Sequence, residues 1–268
     1  MTARGPEPPA ALRLDDLTLG YDRHPAVHHL TLAVPAGSLV GVVGPNGSGK
    51  STLLKALAGQ LRPLQGRLHR PAGQRVGYLP QQAEIDRSFP IRVGDLVAMG
   101  LWHEVGALGG LGPARRERCR QALQAVGLEG FAHRTIDTLS GGQFQRALFA
   151  RLLLQDADLV LLDEPFAAID SRTADDLLAL LHGWRQAGKT LLVVLHDLPQ
   201  VLAHCPLAML LARELVAWGP AHEVLSEANL QRARRMTEAW DDHAAPCGGR
   251  QAAAGPAGAP GLPARPSR

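Results

Sequence analysis

The sequence predicts an α/β fold in which a helical segment is inserted between two strand-rich blocks. Short apolar stretches between Leu12 and Val43 are broken by Gly and Pro, which is typical of strands. Apolar runs at Arg75–Leu79, Leu159–Leu162 and Leu191–Leu195 predict further strands, and the last is so continuous that we expect it to be covered on both faces. From Gln82 to Gln155 the apolar spacing is instead that of helices. Two strand blocks around a helical insert favour one α/β core.

The predicted elements follow in chain order. Ser38–Val43 predicts a buried strand that ends in a Gly-rich turn. Ser51–Leu61 predicts the helix that follows this turn, with Gly59 near its end. Within the helical segment the pattern predicts three helices, at Arg92–Met99, Pro113–Val126 and Gly142–Leu154.

The length and the two ends bound the folded part of the chain. A chain of 268 residues suits one domain, or a core with one inserted subdomain. Residues 1–11 predict a short flexible lead, and residues 236–268, rich in Ala, Gly and Pro, predict a disordered tail. The folded domain is therefore expected over 12–235, with the helical subdomain at about 83–155.

Composition excludes several classes of protein. The net charge is only +3 and no basic face is apparent, which argues against a nucleic-acid partner. The cysteines are odd in number and lack metal-ligand spacing, so we expect free thiols in a reducing cytosol. No run approaches the roughly 18–20 apolar residues of a membrane-spanning helix, and the N-terminus does not resemble a secretory signal. We expect a cytosolic protein whose membrane contact comes through a partner.

The strongest motif is a phosphate-binding loop. The segment GPNGSGKST fits the pattern GxxxxGK[ST] directly after the strand LVGVV and before a helix, and an incidental Gly-rich turn would not explain both flanks. Backbone N–H groups and the helix N-terminus would bind phosphate oxygens. Lys50 would reach the β- and γ-phosphates, Ser51 would ligate Mg²⁺, and Thr52 would contact the α-phosphate. The predicted nucleotide-binding residues here are Gly44, Pro45, Asn46, Gly47, Ser48, Gly49, Lys50, Ser51 and Thr52.

An acidic strand end supplies the second half of this predicted site. The segment LVLLDEP brings Asp163 and Glu164 to the C-terminal end of a buried strand, where α/β sheets bind ligands. Asp163 would hold Mg²⁺, directly or through water. Glu164 would polarise a water molecule for in-line attack on the γ-phosphate. A lone strand ending in Asp-Glu is often only a solvated strand end, but pairing with the phosphate loop favours a site.

These two motifs alone indicate only a P-loop NTPase, a class that includes kinases, helicases and GTPases. The segment LSGGQ narrows the class, because with it the chain resembles the ABC ATPases. The resemblance covers roughly Leu12 to Leu230 and implies a RecA-like core, an N-terminal antiparallel β subdomain and an inserted α-helical subdomain. It also implies that two copies form a head-to-tail pair with ATP sandwiched between them. The signature residues that would complete the partner's site are Ser140, Gly141, Gly142 and Gln143.

Further positions match the family in order. The resemblance implies that Tyr21 stacks on adenine and that Asp170 is the acidic residue of the loop after the catalytic carboxylate. It implies a catalytic set of Glu164, Gln81 and His196. In that set, the glutamine touches Mg²⁺ and the attacking water, and the histidine contacts the γ-phosphate. The chain departs from the family at Ala167, where a serine is usual, so a hydroxyl contact across the dimer is lost.

The segment YLPQQAEIDRSFPIRVGDLVAMG is similar to the ATPases of zinc, manganese and iron-chelate importers. This likeness implies a subunit on the cytoplasmic face of the membrane, bound to permease subunits and served indirectly by a substrate-binding protein. The eleven histidines show no ligand spacing, so a metal cargo would pass through the permease rather than bind here.

Three alternatives remain from the sequence. The first is an ABC ATPase for another substrate. The second is a non-transport member of the superfamily, although such proteins usually carry two cassettes or a long coiled coil, and this chain has one motif set without sustained heptads. The third is a nucleotide-binding regulator without turnover, which the complete set of polar catalytic positions disfavours.

Overall fold

A computed structural model of the chain describes residues 9–22, 24–106, 109–167 and 169–238. The strands in these ranges are β1 Ala10–Tyr21, β2 His24–Pro35, β3 Leu39–Val43, β4 Gln65–His69, β5 Val76–Leu79, β6 Leu159–Asp163, β7 Thr190–Val194, β8 Leu207–Ala212 and β9 Glu214–Pro220. The helices are α1 Lys50–Leu57, α2 Val93–Ala98, α3 Trp102–Val105, α4 Pro113–Ala125, α5 Gly141–Gln155, α6 Ser171–Gln186, α7 Leu198–His204, α8 Ala221–Val224 and α9 Glu227–Glu238. Short 3₁₀ turns lie at Gln82–Glu84, Met99–Leu101 and Ile136–Thr138.

The larger sheet forms the core that carries the motifs. Its strand order is β5-β6-β7-β3-β8-β9, and only the edge strand β9 runs antiparallel to its neighbour. Every residue of β3, β6 and β7 is buried, as expected for apolar strands covered on both faces. The carboxyl ends of these parallel strands meet at one edge, where the phosphate loop and the acidic strand end lie. The predicted α/β fold is confirmed.

A smaller antiparallel sheet, β2-β1-β4, covers one side of α1. Apolar side chains of β1 such as Leu14 and Leu17 share a buried cluster with Leu53 and Leu57 of α1 and with Val40 of β3. The helix that follows the phosphate loop is therefore held between the two sheets. On the other face of the large sheet, helices α2, α4 and α5 pack into a second buried cluster together with strands β6 and β7.

The limits predicted for the strands of the large sheet and for the inserted helices lie within one or two residues of those observed, but one other predicted helix is too long. The helix predicted over Ser51–Leu61 ends at Leu57. The cause is Gly59, whose φ of 81° places it in the left-handed region. The Gly59 N–H then bonds to the Ala56 carbonyl and the Gln60 N–H to the Lys55 carbonyl, which closes the helix end in a Schellman motif.

The first strand and the last described helix extend beyond the predicted limits of the folded domain. Ala10 and Ala11 belong to β1 rather than to a flexible lead, because Ala10 pairs with Pro35 and Ala11 is buried. Helix α9 continues to Glu238, past the predicted start of the tail, because Leu230, Ala233 and Met236 pack against the core. The rest of the predicted lead, residues 1–8, and of the predicted tail, residues 239–268, lies outside the described residues. In the ranges described, no helix is long and apolar enough to cross a membrane.

Candidate functional site

The phosphate loop runs from the end of β3 to the start of α1. Gly49 has a φ of 92°, and a Cβ atom there would lie 2.9 Å from the Ala26 carbonyl oxygen, so only glycine fits. The Ser48 N–H bonds to the Pro45 carbonyl oxygen at 3.2 Å and tightens the loop. No side chain caps the N-terminus of α1, so its first N–H groups remain available to an anion.

Lys50 is the cation of this loop. Its side chain is buried, and its Nζ donates to the carbonyl oxygens of Gly44 and Pro45 at 2.9 Å each. Burial lowers the pKa of the Lys50 ammonium, while the carboxylates of Glu164 and Asp163 oppose that shift. A buried cation that donates to two neutral carbonyls is well placed to transfer those hydrogen bonds to phosphate oxygens.

Asp163 lies at the end of β6 beneath the loop and is only 1% exposed. Among the described residues, no donor lies within hydrogen-bond geometry of either carboxylate oxygen. Burial raises the pKa of the Asp163 carboxyl, the Ser51 hydroxyl opposes this shift, and the charge of Glu164 adds to it. A buried, unpaired carboxylate is costly unless a cation joins it. Together with the hydroxyl of Ser51 and the amide of Gln81, it forms an oxygen-rich donor set that fits a hard divalent cation.

Three neighbouring strands bring the predicted catalytic side chains together. Glu164 follows β6, Gln81 lies two residues after β5, and His196 lies two residues after β7. The Gln81 Nε2 donates to the Glu164 Oε1 at 2.7 Å, and the His196 Nε2 lies 2.6 Å from the same oxygen. Glu164 adopts a φ of 50°, which is unfavourable for a residue other than glycine. The residue with this backbone conformation is thus the one whose carboxylate oxygen Oε1 is contacted by both Gln81 and His196.

These residues line an open cleft of about 710 Å³. Gly44 and Pro45 line a smaller adjoining cavity of about 160 Å³, while Ser48 and Asp163 are buried. Tyr21, the last residue of β1, is 48% exposed and is not among the residues that line the cleft. The lining consists of Ala26, Asn46, Gly47, Gly49, Lys50, Ser51, Thr52, Gln81, Glu164 and His196.

The signature residues lie on a different cleft, of about 500 Å³, which shares no lining residue with the first. Ser140 caps α5: its Oγ accepts the Gln143 N–H at 3.2 Å, and the Gln143 Oε1 accepts the Ser140 N–H at 3.1 Å. Helix α5 therefore begins at this cleft, with Gly141 and Gly142 in its first turn. The chain thus presents its phosphate loop and its signature on separate surfaces.

Asp170 lies beside the signature and caps α6. Its carboxylate accepts the N–H of Thr173 at 2.9 Å and the hydroxyl of the same residue at 2.8 Å, and these bonds lower the pKa of Asp170. Arg146 of α5 donates to that hydroxyl at 3.0 Å and to Asp176 at 3.0 Å. The signature helix and the loop before α6 are therefore tied together. Ala167 is exposed at the start of this loop, and Ala168 lies outside the described residues.

Two site residues were missed in the sequence. The Gln82 Nε2 donates to the Gln145 Oε1 at 2.7 Å and to the Gly141 carbonyl at 3.3 Å. The Gln145 Nε2 in turn donates to the Pro165 carbonyl at 2.7 Å. A glutamine in a helix is usually solvent-exposed, so only the nearness of these residues to Gln81 and to the LSGGQ motif could have drawn attention to them.

A phosphate loop, an acidic strand end and a carboxylate lining the same cleft at the carboxyl edge of a parallel sheet define a P-loop NTPase. The family model described as "ABC transporter" matches residues 27–167. The zinc transport system ATP-binding protein TroB of Treponema pallidum is 41% identical over 231 residues, which cover 83% of this chain and 86% of that protein. The manganese transport system ATP-binding protein MntB of Bacillus subtilis is 38% identical over 227 residues, which cover 82% and 91%. The chain belongs to the ABC transporter family, as an ATP-binding and ATP-hydrolysing subunit.

Solved structures agree with this placement. An inward-facing ABC transporter is similar with a TM-score of 0.76 and 31% identity, over 85% of this chain and 90% of that chain. A dimeric ATP-binding cassette bound to ADP and Pi is similar with a TM-score of 0.71 and 26% identity, over 78% and 98%. Cassettes of this family bind nucleotide, dimerise and work with membrane permeases.

Proposed function

We propose that this subunit uses Mg-ATP to power the import of a transition-metal ion, zinc or manganese, through a membrane permease. The main support for this proposal is the position of the Glu164 carboxylate beside the phosphate loop. One of its oxygens lies 2.7 Å from the Gln81 Nε2 and 2.6 Å from the His196 Nε2. A carboxylate in this position suits a group that orients and polarises an attacking water. A regulator without turnover would not need that geometry.

Different residues of the chain would bind the phosphates, orient the attacking water and bind the adenine. Lys50 would exchange its loop carbonyls for the β- and γ-phosphate oxygens, and the first N–H groups of α1 would bind the same charge. Glu164 would hold the water, and His196 would keep that carboxylate oriented while contacting the γ-phosphate. Tyr21 would stack on the adenine from the exposed end of β1.

The proposed metal cofactor is Mg²⁺. The Asp163 carboxylate, the Ser51 hydroxyl and the Gln81 amide would hold it, and the unpaired buried carboxylate is the observation that supports this donor set. When bound, Mg²⁺ would neutralise charge on the β- and γ-phosphate oxygens.

A second copy of the chain would complete each site. The phosphate loop and the signature occupy separate clefts, so one chain cannot place both on one nucleotide in this arrangement. A head-to-tail pair would bring Ser140 and the start of α5 of one subunit onto the phosphates in the other. The similar dimeric cassette bound to ADP and Pi supports this assembly.

The cargo proposal rests on the relatives named for zinc and manganese transport and on the likeness of the segment after Gln81 to metal importers. That segment, the turn that follows α2 and the start of α3 expose the apolar side chains of Phe89, Met99 and Trp102, which are suited to contact with the permease. The subunit would thus sit on the cytoplasmic face of the membrane, with a substrate-binding protein acting through the permease.

The proposal is tested by comparing wild type with a Glu164→Gln strain under metal limitation and measuring total cellular zinc, manganese and iron. We expect a selective fall in zinc or manganese, because slow hydrolysis stops the transport cycle. Glu223→Gln is the matched control, since it alters an exposed carboxylate that lines neither cleft and should leave the metals unchanged. Unchanged metals in the Glu164→Gln strain would contradict the metal cargo.

The purified protein separates ATPase chemistry from cargo. Glu164→Gln should bind Mg-ATP, form a stable dimer on sizing and hydrolyse ATP roughly a hundredfold or more slowly. Lys50→Ala should lose nucleotide binding. If Glu164→Gln stays a monomer with Mg-ATP, the sandwich arrangement is wrong. If it forms the dimer but cellular metals do not change, a transporter for another substrate becomes the better explanation.

A further inference from the structure

Glutamines outside the expected catalytic set close a ring of contacts around Glu164. The Glu164 carboxylate accepts from Gln81, whose neighbour Gln82 donates to the Gln145 Oε1 at 2.7 Å. The Gln145 Nε2 donates at 2.7 Å to the carbonyl of Pro165, the residue directly after Glu164. The ring therefore joins the segment after β5, the signature helix α5 and the segment after β6.

The orientation of each amide in this ring is fixed. Gln145 is only 2% exposed, and a carbonyl oxygen such as that of Pro165 can face only a donor, so the Nε2 must point there. The Oε1 then faces Gln82, which must present its own Nε2. Gln82 acts only as a donor, since its second partner is the Gly141 carbonyl. Gln145 is buried, Gln81 and Gln82 are partly buried, and each amide faces a complementary group, so this arrangement of the amides is favoured over the flipped one.

The ring connects surfaces that would serve different nucleotides. Gln81 lies on the cleft of the chain's own phosphate loop, and its backbone is extended, with φ −55° and ψ 142°. The side chain of the next residue, Gln82, reaches Gly141, the first residue of α5, on the signature cleft. In a head-to-tail pair, that cleft would face the nucleotide held by the partner.

We propose that Gln82 and Gln145 are positioning residues that couple the catalytic carboxylate of one ATP site to the signature of the other. This inference rests on the proposed nucleotide sandwich. A change at Glu164 or Gln81 moves the Gln82 backbone, and the ring passes that movement to the start of α5, whose N–H groups bind the partner's phosphate. Coupling of binding between two sites is reciprocal, so the signature equally biases the carboxylate.

The test measures cooperativity and intrinsic affinity in the full-length protein. The wild-type protein should hydrolyse Mg-ATP with a Hill coefficient approaching about 2, the limit for two sites. Gln82→Leu and Gln145→Leu should lower it toward about 1, while ATP binding to the isolated monomer stays within about twofold, because neither residue lines the phosphate-loop cleft. The double variant should match either single variant, since both break one ring.

Substitutions that keep or remove the hydrogen-bond donor at position 82 distinguish a loss of coupling from a general loss of structure. Gln82→Lys keeps a donor-only group of similar length and should retain cooperativity, whereas Gln82→Glu presents acceptors to two carbonyl-type oxygens and should lose it. Gln231→Leu is the matched control, because that exposed glutamine bonds to Glu227 within α9 and lines neither cleft.

The outcomes distinguish failure of the coupling proposal from failure of the proposed nucleotide sandwich on which it rests. A cooperative wild type with an equally cooperative Gln82→Leu overturns the coupling role alone. Additive losses in the double variant, or equal losses in Gln82→Lys and Gln82→Glu, also overturn it. A non-cooperative wild type whose Glu164→Gln form stays monomeric with Mg-ATP overturns the sandwich, and the coupling with it.

Discussion

Asp163 and Glu164 are adjacent carboxylates with opposite hydrogen bonding. Glu164 accepts from Gln81 and lies against His196. In the described part of the chain neither buried Asp163 oxygen meets the geometry of a hydrogen bond, and the nearby Ser51 hydroxyl and Lys50 charge only partly offset its burial. The strand end therefore carries one charge that the protein satisfies and another that the proposed Mg²⁺ would satisfy. Leaving a buried charge unpaired lowers the stability of the nucleotide-free protein, which is the expected cost of a cation site.

Asp163→Asn should make the nucleotide-free protein more stable and less active. Replacing the unpaired buried carboxylate with a neutral amide removes a desolvation cost, so we expect a gain on the order of 1 kcal/mol in the free energy of unfolding. The stabilisation that Mg-ATP gives to wild type should be largely lost, because the proposed cation ligand is gone. Urea unfolding at pH 7, with and without Mg-ATP, measures both effects.

The control for this exchange is Asp175→Asn, which removes an exposed carboxylate on α6. It should change the free energy of unfolding by less than about 0.5 kcal/mol and leave the response to Mg-ATP intact. A loss of stability in nucleotide-free Asp163→Asn would contradict the reading of that carboxylate as an unsatisfied charge.

Helix α5 is the element that joins the two clefts to the core. It begins at the capping box of Ser140 and Gln143, and its buried residues Phe144 and Leu148 pack among the helices and the sheet. It ends at Asp156, which adopts the left-handed conformation with a φ of 43°. Because its middle is closely packed in the core, a displacement at its start is transmitted along the helix rather than absorbed locally.

Substitutions of Ser140 should separate its capping role from its phosphate role. Ser140→Ala loses the side-chain bond to the Gln143 N–H and should cost about 1 kcal/mol of stability. Ser140→Asp keeps a good cap, so stability should be retained, but in the proposed pair it would direct negative charge at the partner's phosphates. Both should weaken Mg-ATP-dependent dimerisation, measured on sizing in the Glu164→Gln background. If Ser140→Asp dimerises normally, this serine does not face phosphate.

The C-terminal end of α5 provides a pH-dependent test. The hydrogen bond from Lys189, at 2.7 Å, and one from Arg75, at 3.1 Å, lower the pKa of Asp156. A lowered carboxyl pKa stabilises the fold above the unfolded value of about 3.9, and this contribution is lost as pH falls through the folded value. Asp156→Asn should therefore cost less than about 1 kcal/mol at pH 7, since the side chain is largely exposed, and nothing at low pH. Asparagine tolerates the left-handed backbone, so a pH-independent loss would contradict the electrostatic cause.

At the scale of the whole molecule, the sequence predicted best those segments whose residue types allow only one local backbone structure. The glycines of the phosphate loop, the continuous apolar run of β6 and the LSGGQ motif each require one kind of backbone, and the predicted strands and helices lie around them as expected. Gly59 in the sequence also predicted that a helix ends nearby. The sequence did not show that this glycine would form a Schellman motif and so end the helix at Leu57.

Other features depend on contacts between distant segments and leave no local pattern. The strand order β5-β6-β7, which brings Gln81, Glu164 and His196 together, follows from sheet topology rather than from spacing. Gln82 and Gln145 are 63 residues apart in the sequence. The sequence alone does not distinguish two glutamines that pair through their amides from two exposed glutamines. The motif resemblance could imply the catalytic set, but only the structure shows the ring that encloses it.

The exposed apolar surface argues for a partner of the whole subunit. Among the described residues, three of the six exposed large hydrophobic side chains, Phe89, Met99 and Trp102, fall in one short stretch of the helical segment. Replacing both Phe89 and Trp102 with serine should leave the fold and the ATPase activity of the isolated subunit unchanged, because these side chains are more than half exposed and line neither cleft. Co-purification of the permease with a tagged subunit, and cellular metal uptake, should both fall. Leu202→Ser, on α7, is the matched control, and permease recovery at wild-type levels in the double variant would place the contact elsewhere.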